Sequence, residues 1–311
     1  MFPVADGVSI SQANVGYAPV TSSENGVLLY WAGNAAGGKN QMIWYDRTGK
    51  VLGAAGAPGV IFAPAISWDE KAVAFTANRG GWGIWLRDLA RATDTRFTAG
   101  GGVAIASSWS PKGDRLVFTL SGTGAFGTLY QKAASGSGQA ELLFPTTNND
   151  RSEQWSRDGR FIVFTRIAPK TNLDVWVTPI GESTSIERKP FTFLQTEFNE
   201  FQGQLSPDSR WMAYTSDESG QREVYVRSFP SGDLKSKIST TGGEQPRWRG
   251  DGNELFYAAA DGKMTAVAVK AVAGPKPSFE PSVPVQLFDS HMCVVRGVKS
   301  ISAGLWVIIR S

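Results

Sequence analysis

QLSPDSRWMAYTSDESGQREVYVRSFP, residues 204–230, reads as strand, tight turn, strand, polar loop and strand. Ser206-Pro207-Asp208-Ser209 carries the turn chemistry: Pro207 presets φ, and the Ser and Asp side chains can accept from nearby backbone N–H groups. Arg210 to Thr215 resume an extended pattern, Gly220 marks the loop, and Glu223-Val224-Tyr225-Val226-Arg227 alternates polar and apolar at the period of a strand. A meander this small buries too little apolar surface to stand alone. It must be one copy of something larger.

The unit recurs. Its turn appears at Ser23-Glu24-Asn25-Gly26, Ser67-Trp68-Asp69, Ser110-Pro111-Lys112-Gly113, Ser156-Arg157-Asp158-Gly159, Ser206-Pro207-Asp208-Ser209 and Arg249-Gly250-Asp251-Gly252, at spacings of 44, 43, 46, 50 and 43 residues. That is about the length of one four-stranded propeller blade. An apolar residue precedes each later turn (Ile66, Trp109, Trp155, Leu205, Trp248). The strand after the turn closes on an aromatic (Tyr30, Phe75, Phe118, Phe164, Tyr214, Tyr257), and the third strand carries another (Trp44, Trp85, Tyr130, Trp176, Tyr225). Apolar runs of this kind suit strands covered on both faces. Each buried aromatic stabilises by ~2–3 kcal/mol, so packing is reason enough for eleven Trp. The sixth copy has Thr265-Ala266-Val267 where the third-strand aromatic belongs, and is expected to pack less well.

The expected fold is all-β, a β-propeller of six four-stranded antiparallel blades, with seven blades and an incomplete, split seventh as the alternative. Residues 1–16 read as an orphan strand that helps closure, 17–288 as the six-repeat array, and 289–311 as an atypical tail. Thirty-five glycines in 311 residues exceed the usual ~7%, as many tight turns require. The net charge of +3 comes without a basic run, so nothing points to nucleic acid. Cys293 is the only cysteine, and no intramolecular disulfide can form. No apolar stretch approaches the ~20 residues of a membrane span, and the start shows no secretory signal. The chain as given would be cytoplasmic.

The turn-and-strand unit resembles the WD40-like (PD40) repeat of the TolB family. The wording of units four to six is similar to the propeller that follows the kinase domain in bacterial serine/threonine kinases. Residues 204–230, the run STTGGEQPRW at 239–248, and Leu255-Phe256-Tyr257 carry the likeness. The resemblance implies a disc of antiparallel blades around a channel, outside the cytoplasm, serving as a sensor or interaction platform and linked in relatives to a kinase domain. Relatives end in another Asp-Gly hairpin where this chain has residues 298–309, so a fragment or a tail read in an altered frame is expected.

Two stretches imitate kinase motifs. Gly122-Thr123-Gly124-Ala125-Phe126-Gly127 reads like a nucleotide-covering loop and Val267-Ala268-Val269-Lys270 like the strand of a phosphate-pairing lysine. Both fall into the repeat register, and Lys270 lies 140 residues beyond Tyr130, far more than a strand or so. No His-Arg-Asp or Asp-Phe-Gly sequence supplies the catalytic base and metal carboxylates. His291 is the sole histidine and no Gly-x-Ser-x-Gly elbow accompanies it. With one His and one Cys, a zinc site of the usual nitrogen and sulfur ligands cannot be built. The expectation is a chain that is not an enzyme.

What remains is the surface. The loops at 100–106, 148–154, 196–202 and 241–245 join each outer strand to the next inner one and are expected to crowd one mouth of the channel. They bring Asp150, Glu153, Glu200 and Glu244 towards a common opening, with Arg151 as the only cation among them. This candidate acidic rim would receive a cationic peptide segment of a protein partner, or a divalent cation, the one cofactor for which the chain offers a place. The expected function is a non-catalytic sensor or scaffold module. The alternative is a metal-dependent hydrolase or lyase working at the channel mouth.

Overall fold

A computed structural model describes residues 28–32, 41–100, 102–122, 127–181, 188–272, 278–289 and 309–310. Among them every regular element is a strand, and the strands form six sheets in succession along the chain. The first holds Leu28–Ala32, Gln41–Asp46 and Val51–Ala54, with Ile309–Arg310 lying parallel to Tyr45 and Asp46. The second is Ile61–Ile66, Ala72–Asn78, Trp82–Asp88 and Thr93–Arg96; the third is Val103–Trp109, Arg115–Ser121, Thr128–Ala133 and Glu141–Leu142. The fourth is Asn149–Trp155, Phe161–Ala168, Asn172–Pro179 and Phe191–Leu194; the fifth is Glu200–Leu205, Trp211–Ser216, Glu223–Ser228 and Lys235–Lys237. In these four sheets the strands pair antiparallel in chain order. In the sixth, Gly243–Trp248 and Glu254–Ala259 are followed by Lys263–Val272, which pairs with both Ser278–Pro281 and Val285–Asp289. The second of the two kinase-like stretches sits where the repeat places it. Residues 123–126 of the first lie outside the described residues, and Val267 to Lys270 belong to a third strand.

The repeated turn explains itself chemically. Ser67, Ser110, Ser156 and Ser206 each accept on Oγ the N–H of the fifth residue on, at 2.9–3.0 Å, and donate their hydroxyl to Asp69, Asp114, Asp158 and Asp208. The fourth turn position is left-handed in all five described copies, at φ 57° for Glu70, 70° for Gly113, 77° for Gly159, 55° for Ser209 and 75° for Gly252. The turn expected at 23–26 lies outside the described residues.

The aromatic rows are cross-strand neighbours: Phe75 faces Trp85, Phe118 faces Tyr130, Phe164 faces Trp176 and Tyr214 faces Tyr225. Two expectations need correction. In the first sheet Trp44 pairs with Leu29 and Tyr30 with Ile43, so Tyr30 stands one position off its row. In the sixth, Thr265 does face Tyr257, yet Met264, Thr265, Ala266 and Val267 are all buried. Small side chains there leave room for Phe288 from the outer strand, whose ring stacks on Tyr45 at 5.9 Å.

Each sheet shares a core with the next. The first and sixth also meet: Met42 and Ala55 pack with Phe256, Ala258, Met264 and Ala266, and Arg47 grips both oxygens of Glu254. Tryptophans add ties between sheets, Trp109 donating its indole N–H to the Ala65 carbonyl at 2.8 Å and Trp248 to Gln204 at 3.0 Å. A Trp109→Phe variant loses one buried hydrogen bond of about 1 kcal/mol and leaves a small void. The expected result is ~2 kcal/mol lost in a urea melt, with the slope unchanged.

Candidate functional site

The inner strands start earlier than the alternation of the sequence suggests. Val103–Trp109, Asn149–Trp155, Glu200–Leu205 and Gly243–Trp248 run through the segments expected to be loops. Each inner strand from the second sheet to the sixth carries a register break, between Phe62 and Ala65, Ile105 and Ser108, Ser152 and Gln154, Phe201 and Gln204, and Glu244 and Arg247. A bulge adds unpaired residues and interrupts the period of two, which hides the strand. Ala63, Gln202 and Gln245 adopt left-handed φ of 48°, 58° and 64° at these bulges.

Glu153, Gln202 and Gln245 are bulge residues of successive sheets, and the first two make the same pair of contacts. Glu153 accepts from the Thr165 hydroxyl at 2.7 Å and from the Gln202 N–H. Gln202 Oε1 accepts from the Thr215 hydroxyl at 2.8 Å and from the Gln245 N–H at 2.8 Å. Each side chain therefore latches its own sheet to the next. Burial pushes Glu153 up to about 7, against the lowering influence of Thr165, Arg247 and Arg151. Burial likewise pulls Arg247 down to about 9, with Glu153 opposing, while its guanidinium donates to the Pro246 carbonyl at 2.7 Å.

The other acidic residues have partners of their own. Asp150 is fully buried and accepts two hydrogen bonds from Arg166, at 2.7 and 2.8 Å, directly across the strand pair. Arg166 in turn lies 4.2 Å from the centre of the Trp176 ring. Glu244 is buried against Arg222 at 3.1 Å, and burial raises its carboxyl above the ordinary range. Glu200 is buried with the hydroxyl and N–H of Thr196. Burial pushes it up to about 7 despite those donors, with Asp174 and Glu218 adding to the rise.

The acidic rim is therefore corrected. Asp150, Arg151, Glu200 and Glu244 are buried in the wall and Glu153 is half-buried; Arg151 is the only cation of those loops, but Arg166, Arg222 and Arg247 from outside them stand beside the carboxylates. The extra guanidinium groups lie outside the loops in which the rim was sought: in a second strand, ahead of a third strand, and after the last bulge. Arg151, Glu153 and Arg247 come together; Asp150, Glu200 and Glu244 do not join them but answer to separate partners. Among the described residues no three His, Cys, Asp or Glu side chains converge to hold a metal ion. His291 and Cys293 lie outside the described residues.

At the other end of the inner strands the turns close in. Arg157 of the fourth sheet donates to the Gly250 carbonyl of the sixth at 2.7 Å, and its guanidinium lies 5.7 Å from the Trp68 ring of the second. Trp68 donates to the Trp109 carbonyl, and Gly159 and Gly252 sit against Pro111 and Pro207. The turns of the second, fourth and sixth sheets thus meet at one guanidinium, and those of the third and fifth pack against their neighbours. The signal was present in the sequence, as an Arg in the turn position that holds Pro in two other copies.

No family model matches the chain, and no curated protein matches it. Solved structures do. TolB from Acinetobacter baumannii is similar with a TM-score of 0.62 at 19% identity, over 83% of this chain and 66% of that one. A putative TolB from Agrobacterium tumefaciens gives 0.59 at 17% identity, over 78% and 85%. An oligogalacturonate lyase from Vibrio parahaemolyticus gives 0.57 at 12% identity, over 86% and 77%. At such identities the likeness speaks for the fold, and the fold is an all-β propeller of the TolB-like kind.

Proposed function

We propose that this propeller is a non-catalytic binding module that receives a segment of a protein partner at the mouth where its inner strands begin. The observation that carries this reading is the engagement of the wall carboxylates within the wall itself, Asp150 with Arg166, Glu244 with Arg222 and Glu200 with Thr196. A catalytic acid or base must reach a substrate proton; groups held this way stiffen a surface instead. Arg157 narrows the opposite end, which leaves the inner-strand mouth as the entrance. We read the six sheets as six blades, because the first and sixth share a core. The wording of residues 204–230 and 239–257 supports a sensor of the kinase-associated kind.

The test is selection of a random-sequence peptide display library on the immobilised chain, with oligogalacturonate and Mn2+ assayed in parallel. Enriched peptides should lose about tenfold or more in affinity to a Glu153→Lys variant and bind an Arg157→Ala variant unchanged. Failure to enrich any sequence, or metal-dependent cleavage of oligogalacturonate, overturns the reading.

A further inference from the structure

A second site lies away from the channel mouth, in the groove between the first and second sheets. It is a cavity of about 270 Å³ walled by Trp44, Leu52, Ala55 and Leu89, with Glu70 and Arg87 as its charged members. Glu70 Oε1 is buried there without a hydrogen-bond partner, and an acceptor kept from water without a donor is costly. Arg87 is not its counter-ion: that guanidinium binds Asp94 at 2.8 Å, and Asp94 also holds Arg79.

The backbone beneath Glu70 is equally out of pattern. Glu70 sits at φ 57° in a turn position that is Gly in three of the other four described copies. A left-handed glutamate is strained where glycine is not, and such strain is retained where a side chain has work at that spot. The edge of the groove is apolar and open at Leu52, which is 46% exposed.

We propose that this groove binds the side chain of a lysine presented by a partner protein, its alkyl stem against Trp44, Leu52 and Leu89 and its ammonium on Glu70 Oε1. The volume suits one side chain rather than a cofactor. A single unpaired oxygen suits a compact ammonium better than the planar fork of arginine, which asks for two acceptors. Leu52, open at the edge, supplies contact beyond the bound side chain itself.

The test is the indole N–H resonance of Trp44 in the full ¹⁵N-labelled chain, titrated with Nα-acetyl-lysine methylamide. A saturable shift is expected with that probe and none with the norleucine counterpart, which has the stem but no charge. Glu70→Gln should weaken the response about tenfold, and Leu52→Ser, at an exposed position that leaves the core intact, should weaken it as well. No shift, an equal shift with the norleucine probe, or an unchanged response in both variants overturns the site. Butylammonium binding as tightly as the lysine derivative overturns its assignment to a polypeptide side chain in favour of free amines.

Discussion

Replacing Asp150 with Asn is expected to lower the unfolding free energy by about 3–5 kcal/mol, the usual cost of removing one partner from a buried ion pair. Asp150 is fully buried, the Arg166 side chain is 11% exposed, and two hydrogen bonds join them. Asn keeps the shape but turns an amide NH2 towards a guanidinium, leaving a cation in the wall with one acceptor in place of two. Arg166 cannot simply swing into water, because it packs on the rings of Trp176 and Phe164 at 4.2 and 5.4 Å. Urea melts at neutral pH should show an earlier midpoint at constant slope. Removing both charges, as Asp150→Leu with Arg166→Met, should restore part of the loss, since apolar groups of similar volume replace buried pairs at little cost. Restoration stays partial because Arg166 also steadies the buried Asp174. A cost below about 1 kcal/mol, the range of exposed pairs, would mean that this wall is wet and its carboxylates accessible, which would remove the support for a non-catalytic reading.

The fold was legible because its turn makes narrow chemical demands. A Ser to cap the next strand, an Asp to hold that Ser, and a residue that tolerates positive φ recur at near-constant spacing; four described turns use all three in that way, and the fifth, Arg249 to Gly252, keeps the Asp and the positive φ. Aromatic rows followed from the same register, except where it gave no grip: Val27-Leu28-Leu29-Tyr30 is an unbroken apolar run, and nothing in it distinguishes Leu29 from Tyr30 as the partner of Trp44. The site was legible only in part. Asp150, Arg151, Glu153, Glu200 and Glu244 do lie at the start of inner strands, but bulges at Glu153, Gln202 and Gln245 break the alternation that would have revealed those strands. Their counter-ions escaped notice for a related reason. Arg166 meets Asp150 across a strand pair and Arg222 meets Glu244 from the neighbouring sheet, contacts that sequence proximity does not suggest.

Stability is expected to fall as pH rises from about 4.5 to about 7, opposite to the behaviour of a protein dominated by salt-bridged carboxylates. Glu153 and Glu200 both stand at about 7 in the folded chain against an ordinary 4.5. Between those values the unfolded chain has released two protons that the folded chain still holds, so the slope of stability against pH is negative there. Each group contributes up to ~3 kcal/mol across the window, and neither adds slope below it or above it. Arg247, at about 9, stays charged throughout. Asp158 and Asp251 act in the other direction. Burial opposes the shift at Asp158, yet its donors from Arg160 and Ser156 prevail, and Arg249 holds Asp251; both stand at about 2. Their stabilisation is present above 3.8 and is lost as pH falls towards 2, which places the optimum near pH 4–5. Glu153→Gln puts at this bulge the residue found at the next two, Gln202 and Gln245, able to accept from the same Thr165 hydroxyl and Gln202 N–H. It should fold normally and lose part of the slope, Glu200→Gln a further part, and the double variant should keep only the shallower fall that Glu244 and Asp174 add, whose carboxyls burial also raises. Urea melts at about pH 4.5, 6 and 8 decide it: a wild-type profile that climbs through this range, or an undiminished slope in Glu153→Gln, would show that the bulge carboxylate ionises freely in water rather than serving as a protonated latch between sheets.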